Sequence, residues 1–223
     1  LSGKTSATGN LSLHGAQAVS NAGTLAAGGT VSVVAADIAN AGTLYSGSSM
    51  TLSVPGQLSN SGKIQAQAGG LALHAGGALS NASGGTILAN GAVSLSAASL
   101  GNAGALESAQ SVDVQVSGQA INLGSVQADR GDLRFAANTL DSRGDLGAGG
   151  NIALVGGTSL SSSGTLVAGT AVSLSAPRLT TAGTVQAGTA LAIDGGSLNN
   201  SGALYALGGN WQARLSGAFA NTT

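Results

Sequence analysis

Apolar residues in this chain come as short alternating pairs that return at a nearly fixed interval. One set pairs a large aliphatic residue with a small one two positions on: Leu25 and Ala27, Leu44 and Ser46, Ile64 and Ala66, Leu166 and Ala168, Val185 and Ala187. A spacing of two puts both members on one face of a strand. A second alternating pair follows within each interval: Val31 and Val33, Leu71 and Leu73, Val93 and Leu95, Leu133 and Phe135, Ile152 and Leu154, Leu191 and Ile193. This predicts a second short strand. A single apolar residue then closes the interval, at Val19, Ile38, Leu58, Leu79, Leu100, Ile121, Leu140, Leu160, Leu179, Leu198 and Phe219. Three apolar corners per interval predict a three-sided tube.

The interval is set by a glycine, at positions 3, 23, 42, 62, 85, 104, 124, 144, 164, 183 and 202, with gaps of 19 to 23 residues. Two positions before it stands a turn-prone polar residue. It is asparagine at Asn21, Asn40, Asn60, Asn102, Asn122 and Asn200, before Gly23, Gly42, Gly62, Gly104, Gly124 and Gly202; Ser142, Ser162 and Thr181 replace it elsewhere. A regular period of this length is the mark of a solenoid, in which each repeat packs mainly on its neighbours. Intervals of about twenty residues with period-two alternation leave no room for helical crossovers. The predicted fold is therefore all-β: a right-handed parallel β-helix, or β-solenoid, of about eleven coils. With about 4.8 Å between strands, it should form a rod roughly 50 Å long. Stacking of the asparagines in register would allow an amide ladder at the turn, so these asparagines and glycines are read as structural.

Composition narrows the function. Glycine at 38 of 223 residues and only five aromatics suit a narrow tube with glycine corners. Fifteen charged residues with a net charge of −1 give no basic stripe, so the sequence predicts no nucleic-acid partner. No apolar run approaches the roughly 18 residues of a membrane helix, so no membrane-spanning segment is expected. Cysteine is absent, and stability is not expected to rest on disulfides. The phrase is already in register at Gly3 and still running at Phe219 and Asn221. Residues 1–223 are therefore expected to be one repeat segment of a longer rod without evident caps, with open strand edges at both ends.

The phrase Asn-x-Gly-Thr-Leu-x-Ala-x-Gly, seen from Asn21 to Gly29 and, with Ser46 for alanine, from Asn40 to Gly47, resembles the repeats of filamentous haemagglutinin and of contact-dependent inhibition proteins. The resemblance spans the whole chain. It implies a large bacterial exoprotein, secreted or held at the cell surface, and exported by two-partner secretion through an outer-membrane transporter. It also implies a β-helical shaft that serves adhesion to host or neighbouring cells, with a host receptor or a target bacterial surface as partner. The alternative within the same resemblance is the stick of a contact-dependent toxin-delivery protein, whose receptor-binding and toxin domains lie elsewhere.

A solenoid needs only its repeat positions to stand, so departures from the repeat are the candidates for function. The sharpest is a charge cluster of Asp129, Arg130, Asp132, Arg134, Asp141, Arg143 and Asp145, with two Arg-Gly-Asp tripeptides: Arg130, Gly131 and Asp132, then Arg143, Gly144 and Asp145. One reading is a mixed-charge patch that solvates the rod, worth little per ion pair. The other presents Arg and Asp to a host receptor, as Arg-Gly-Asp loops of integrin ligands do. The repeat alone accounts for both glycines, and an Asp on a strand shoulder beside inward Leu133 or Leu146 is held stiffly. The long interval from Gly62 to Gly85 predicts a small bulge at one corner. Tyr45 and Tyr205 face outward eight coils apart, and Trp211 falls at a core position near the end of the chain.

The catalytic readings are weaker. His14 and His74 occupy equivalent positions three coils apart, too far to share a metal. Polysaccharide-cleaving β-helices cluster carboxylates on one sheet, and Glu107 with Asp113 is the nearest approach here. The outward positions Thr24 and Ala26, Thr43 and Tyr45, Lys63 and Gln65 are too irregular for an ice-matching array. The sequence thus predicts no enzyme, no cofactor and no metal.

Overall fold

The computed structural model describes residues 1–222. Its described residues form an all-β solenoid of about eleven turns, built from two stacks of parallel strands. The first sheet has eleven strands, one per coil: Lys4–Ala7, Thr24–Ala27, Thr43–Ser46, Lys63–Ala66, Thr86–Ala89, Ala105–Ser108, Ser125–Ala128, Asp145–Ala148, Thr165–Ala168, Thr184–Ala187 and Ala203–Ala206. Register runs straight through it, so that Leu25 lies on Leu44, Leu44 on Ile64 and Ile64 on Ile87. The large residue of each pair therefore stacks on its counterpart in the next coil, and Leu25, Leu44, Ile64 and Ile87 are all buried.

The second sheet, of 15 strands, carries both the second and the third side of the tube. In the first three coils the second and third legs are separate: Leu11–His14 and Val19–Asn21, Val31–Val34 and Ile38–Asn40, Met50–Val54 and Leu58–Asn60. From Leu71–Asn81 to Leu191–Asn200 the two legs run on as one bent strand of ten or eleven residues, so hydrogen bonding joins two corners into one sheet. The bend is marked by register shifts, between Ala75 and Ala78, Ala97 and Leu100, Val116 and Gln119, Ala137 and Thr139. Such a bulge turns a strand without ending it. Pro55, which lacks an N–H, stands at the break in the third coil, and Pro177 sits at the bend of Val172–Thr181.

The third corner is filled as predicted from Ile38 to Leu198, with one exception. In Val112–Asn122 it is Ala120 that pairs with Leu100 and Leu140 and is buried, while Ile121 is only half-buried. Ala120 stands two residues before Asn122, as Leu100 stands before Asn102 and Leu140 before Ser142, so the corner keeps its place and is filled there by a small residue. At the far end Trp211 pairs with Leu191 and Phe219 with Leu198, but no further coil covers them among the described residues. Their rings lie 6.2 Å apart and cap the core there. Among the described residues no helix is long and apolar enough to cross a membrane.

Candidate functional site

Buried polar side chains mark the first candidate site, because burying an amide is costly unless it is bonded. Asn21, Asn40, Asn60, Asn81, Asn102 and Asn122 are all buried at the turn into the first sheet. Each passes its amide to the next: Asn21 Nδ2 donates to Asn40 Oδ1 at 2.8 Å, Asn40 to Asn60 at 2.8 Å, Asn60 to Asn81 at 2.8 Å, Asn81 to Asn102 at 2.8 Å and Asn102 to Asn122 at 2.7 Å. The same Nδ2 also reaches backbone oxygens, as Asn40 does to Gly42 O and Lys63 O, both at 3.1 Å. The ladder thus ties each turn to the coil above it.

Glycine at the anchor is required by this stacking. A Cβ on Gly42 would overlap the carbonyl oxygen of Gly23, and one on Gly124 that of Gly104. The row has one member the spacing rule passes over. Asn81 stands four residues before Gly85, not two, because Ser83 and Gly84 are inserted, and Gly84 turns the chain with φ of +83°. Its distance of 21 residues from both Asn60 and Asn102 is the signal that identifies it.

Beyond Asn122 the ladder weakens. Asn122 Nδ2 reaches Ser142 Oγ only at 3.3 Å, and the buried Ser162 Oγ has no hydrogen-bond partner. It resumes where Thr181 Oγ1 donates to Asn200 Oδ1 at 2.7 Å and Asn200 donates to Asn221 at 2.6 Å.

The two Arg-Gly-Asp turns lie at different corners. Arg130, Gly131 and Asp132 join Ser125–Ala128 to Leu133–Ser142, whereas Arg143 and Gly144 precede Asp145–Ala148. Leu133 and Leu146 are buried, so each Asp sits on the shoulder of an inward leucine. Asp132 Oδ1 accepts from Asn151 N at 2.7 Å and Asn151 Nδ2 at 3.0 Å. This is a shared device of that corner: Asn10 Oδ1 accepts from Thr30 N at 2.9 Å, and Asn151 Oδ1 from Ala171 N at 3.2 Å. Asp132 therefore caps the next coil. Arg143 grips Asp141 with Nε at 2.9 Å and Nη2 at 2.7 Å, and this hydrogen bond, with the attraction between the charges, raises the Arg143 pKa above its ordinary value. Arg130 and Asp145 are exposed and project without such contacts among the described residues.

Glu107 and Asp113 fall in different sheets, Ala105–Ser108 and Val112–Asn122, and Asp113 is paired with Arg134 at 3.3 Å. His14 and His74 share a row, linked through Val34 and Ser53, and His74 Nδ1 lies 2.7 Å from Ser96 Oγ. Among the described residues no three His, Cys, Asp or Glu side chains gather as a metal site. No family model matches the chain, and no curated protein or solved structure matches it significantly.

Proposed function

We propose that this chain is a stiff shaft segment of a large secreted or surface-displayed bacterial exoprotein that attaches its cell to host or neighbouring cells. The asparagine ladder is the observation that carries the reading. Polar groups that could serve chemistry are turned inward and bonded from coil to coil, beside an unbroken apolar core and two continuous parallel sheets. Such a structure gains about 4.8 Å of reach per coil and resists bending, because bending must break ladder bonds at one coil boundary or another. Export through an outer-membrane transporter and repetition of this unit would hold a tip away from the cell. A receptor contact on the shaft itself falls to Arg130 and Asp145, the two charges of the tripeptides not engaged within the rod.

Rigidity is tested with spin labels on cysteines placed at Ser12 and Ser173, exposed positions of one register row eight coils apart. A shaft gives one narrow distance near 38 Å, or eight spacings of about 4.8 Å; a broad or much shorter distribution overturns it. Attachment is tested on host epithelial cells and on bacterial cells. Binding that falls with Asp145→Ala but holds with Asp132→Ala supports a receptor turn. Equal binding by both variants and the parent removes it.

A further inference from the structure

The bend of the second sheet leaves a groove on the outside of the rod. Its volume is about 590 Å³, and it runs across five coils, from His74 in Leu71–Asn81 to Gly157 in Ile152–Ser162. Small side chains make its floor: Ala97, Val116 and Ala137 are 7%, 6% and 7% exposed, where most core residues are at or near 2% or below. The floor is therefore wetted. Polar groups stand along its sides, one coil after another: His74, Ser96 and Gln115 on one side, Ser117 and Asn138 on the other.

We propose that this groove binds a neutral, linear oligosaccharide, with about one sugar ring per coil. Three features select that ligand. The first is period. A pyranose ring linked through its 1 and 4 positions advances by close to one strand spacing of about 4.8 Å, whereas an extended peptide rises about 3.3 Å per residue and drifts out of step with the coils. The second is backbone chemistry. Peptides are often bound by adding a strand to a free edge, but the strands under this groove pair with neighbours on both sides. The third is charge. Arg134 at the groove side is paired with Asp113 at 3.3 Å, and Gln115 Nε2 donates to Asp113 Oδ2 at 3.0 Å, so no cationic row awaits a polyanion. What faces a ligand is the remaining valence of His74, Gln115 and Asn138, groups suited to sugar hydroxyls, above an apolar floor suited to ring C–H faces.

The inference adds a ligand to the shaft reading, and the shaft stands if the groove proves empty. The experiment titrates the isotope-labelled chain with tetrasaccharides of β-1,4-linked glucose, N-acetylglucosamine, mannose and xylose, following backbone amide resonances. At least one should bind with Kd tighter than about 1 mM, and the shifted amides should cluster at Ala97, Ala98, Val116, Ser117 and Asn138. Gln115→Ala with Asn138→Ala, both exposed positions, should weaken binding at least about tenfold with the spectrum otherwise unchanged, and Ala98→Trp, which fills the groove, should abolish it. Binding by none of the four sugars overturns the proposal. So do shifts outside the groove, affinity unchanged in the double variant, or tighter binding of extended hexapeptides at the same amides.

Discussion

Coils that carry asparagine at the inner turn and coils that carry serine there have the same backbone, the same anchor glycine and the same leucine-lined core. They differ in how the turn is satisfied. Between Asn21 and Asn102 every amide bridges to the next coil at 2.7 to 2.8 Å. At Ser142 and Ser162 the side chain is one amide group shorter, so the hydroxyl receives a single bond at 3.3 Å in one coil and none in the next. Fold is thus set by the apolar repeat and the glycine, while the bonding between coils depends on one side chain per turn. Serine keeps the shape and gives up the tie.

The largest loss should follow from removing what both sets of coils share. Gly124→Ala forces a methyl group against the Gly104 carbonyl oxygen, and overpacking against backbone should cost about 3 kcal/mol in chemical denaturation. Next in size is the ladder itself. Asn60→Ala leaves Asn81 Oδ1 without its donor and removes the bonds to Gly62 O and Thr86 O, at a cost of about 2 kcal/mol. Ser162→Ala, at the equivalent position, should change stability by less than about 0.5 kcal/mol, because its hydroxyl has no partner to lose. An equal loss in both variants would erase the distinction.

Restoring the amide sharpens it. Ser142→Asn with Ser162→Asn should extend the ladder through those coils and raise stability by about 1 kcal/mol, read as a higher midpoint in the same denaturation series. The smallest effect belongs to the surface. Arg143→Ala removes two hydrogen bonds to Asp141 Oδ2, yet the Arg143 side chain is exposed, and solvent screening should leave the melting temperature unchanged within error.

Much of this was legible along the chain. The paired positions Leu25 and Ala27, or Leu133 and Phe135, declared their burial by period alone, and Asn40 with Gly42 declared the turn. Two repeat positions are harder to read. Asn81 is displaced from the rule by the inserted Ser83 and Gly84, whereas Ala120 keeps its place two before Asn122 and is masked in the sequence by the larger Ile121 beside it. The fused second and third legs were not readable, because a strand that bends and one that breaks carry the same apolar spacing. The charge cluster shows the other limit. Asp132 reads in the sequence only as part of an Arg-Gly-Asp tripeptide; that its carboxylate also caps an amide of Asn151, 19 residues later, is a contact that exists only once coils are stacked.

Native-state hydrogen exchange, resolved by strand, tests most directly whether the inner amide ladder governs cohesion between coils. The prediction is that backbone amides of Ile152–Ser162 exchange at least about tenfold faster than those of Leu71–Asn81 and Val93–Asn102, a difference of about 1.4 kcal/mol in local opening. Ser142→Asn with Ser162→Asn should close that gap. Equal protection in the three strands, or slower exchange in Ile152–Ser162, would contradict the account.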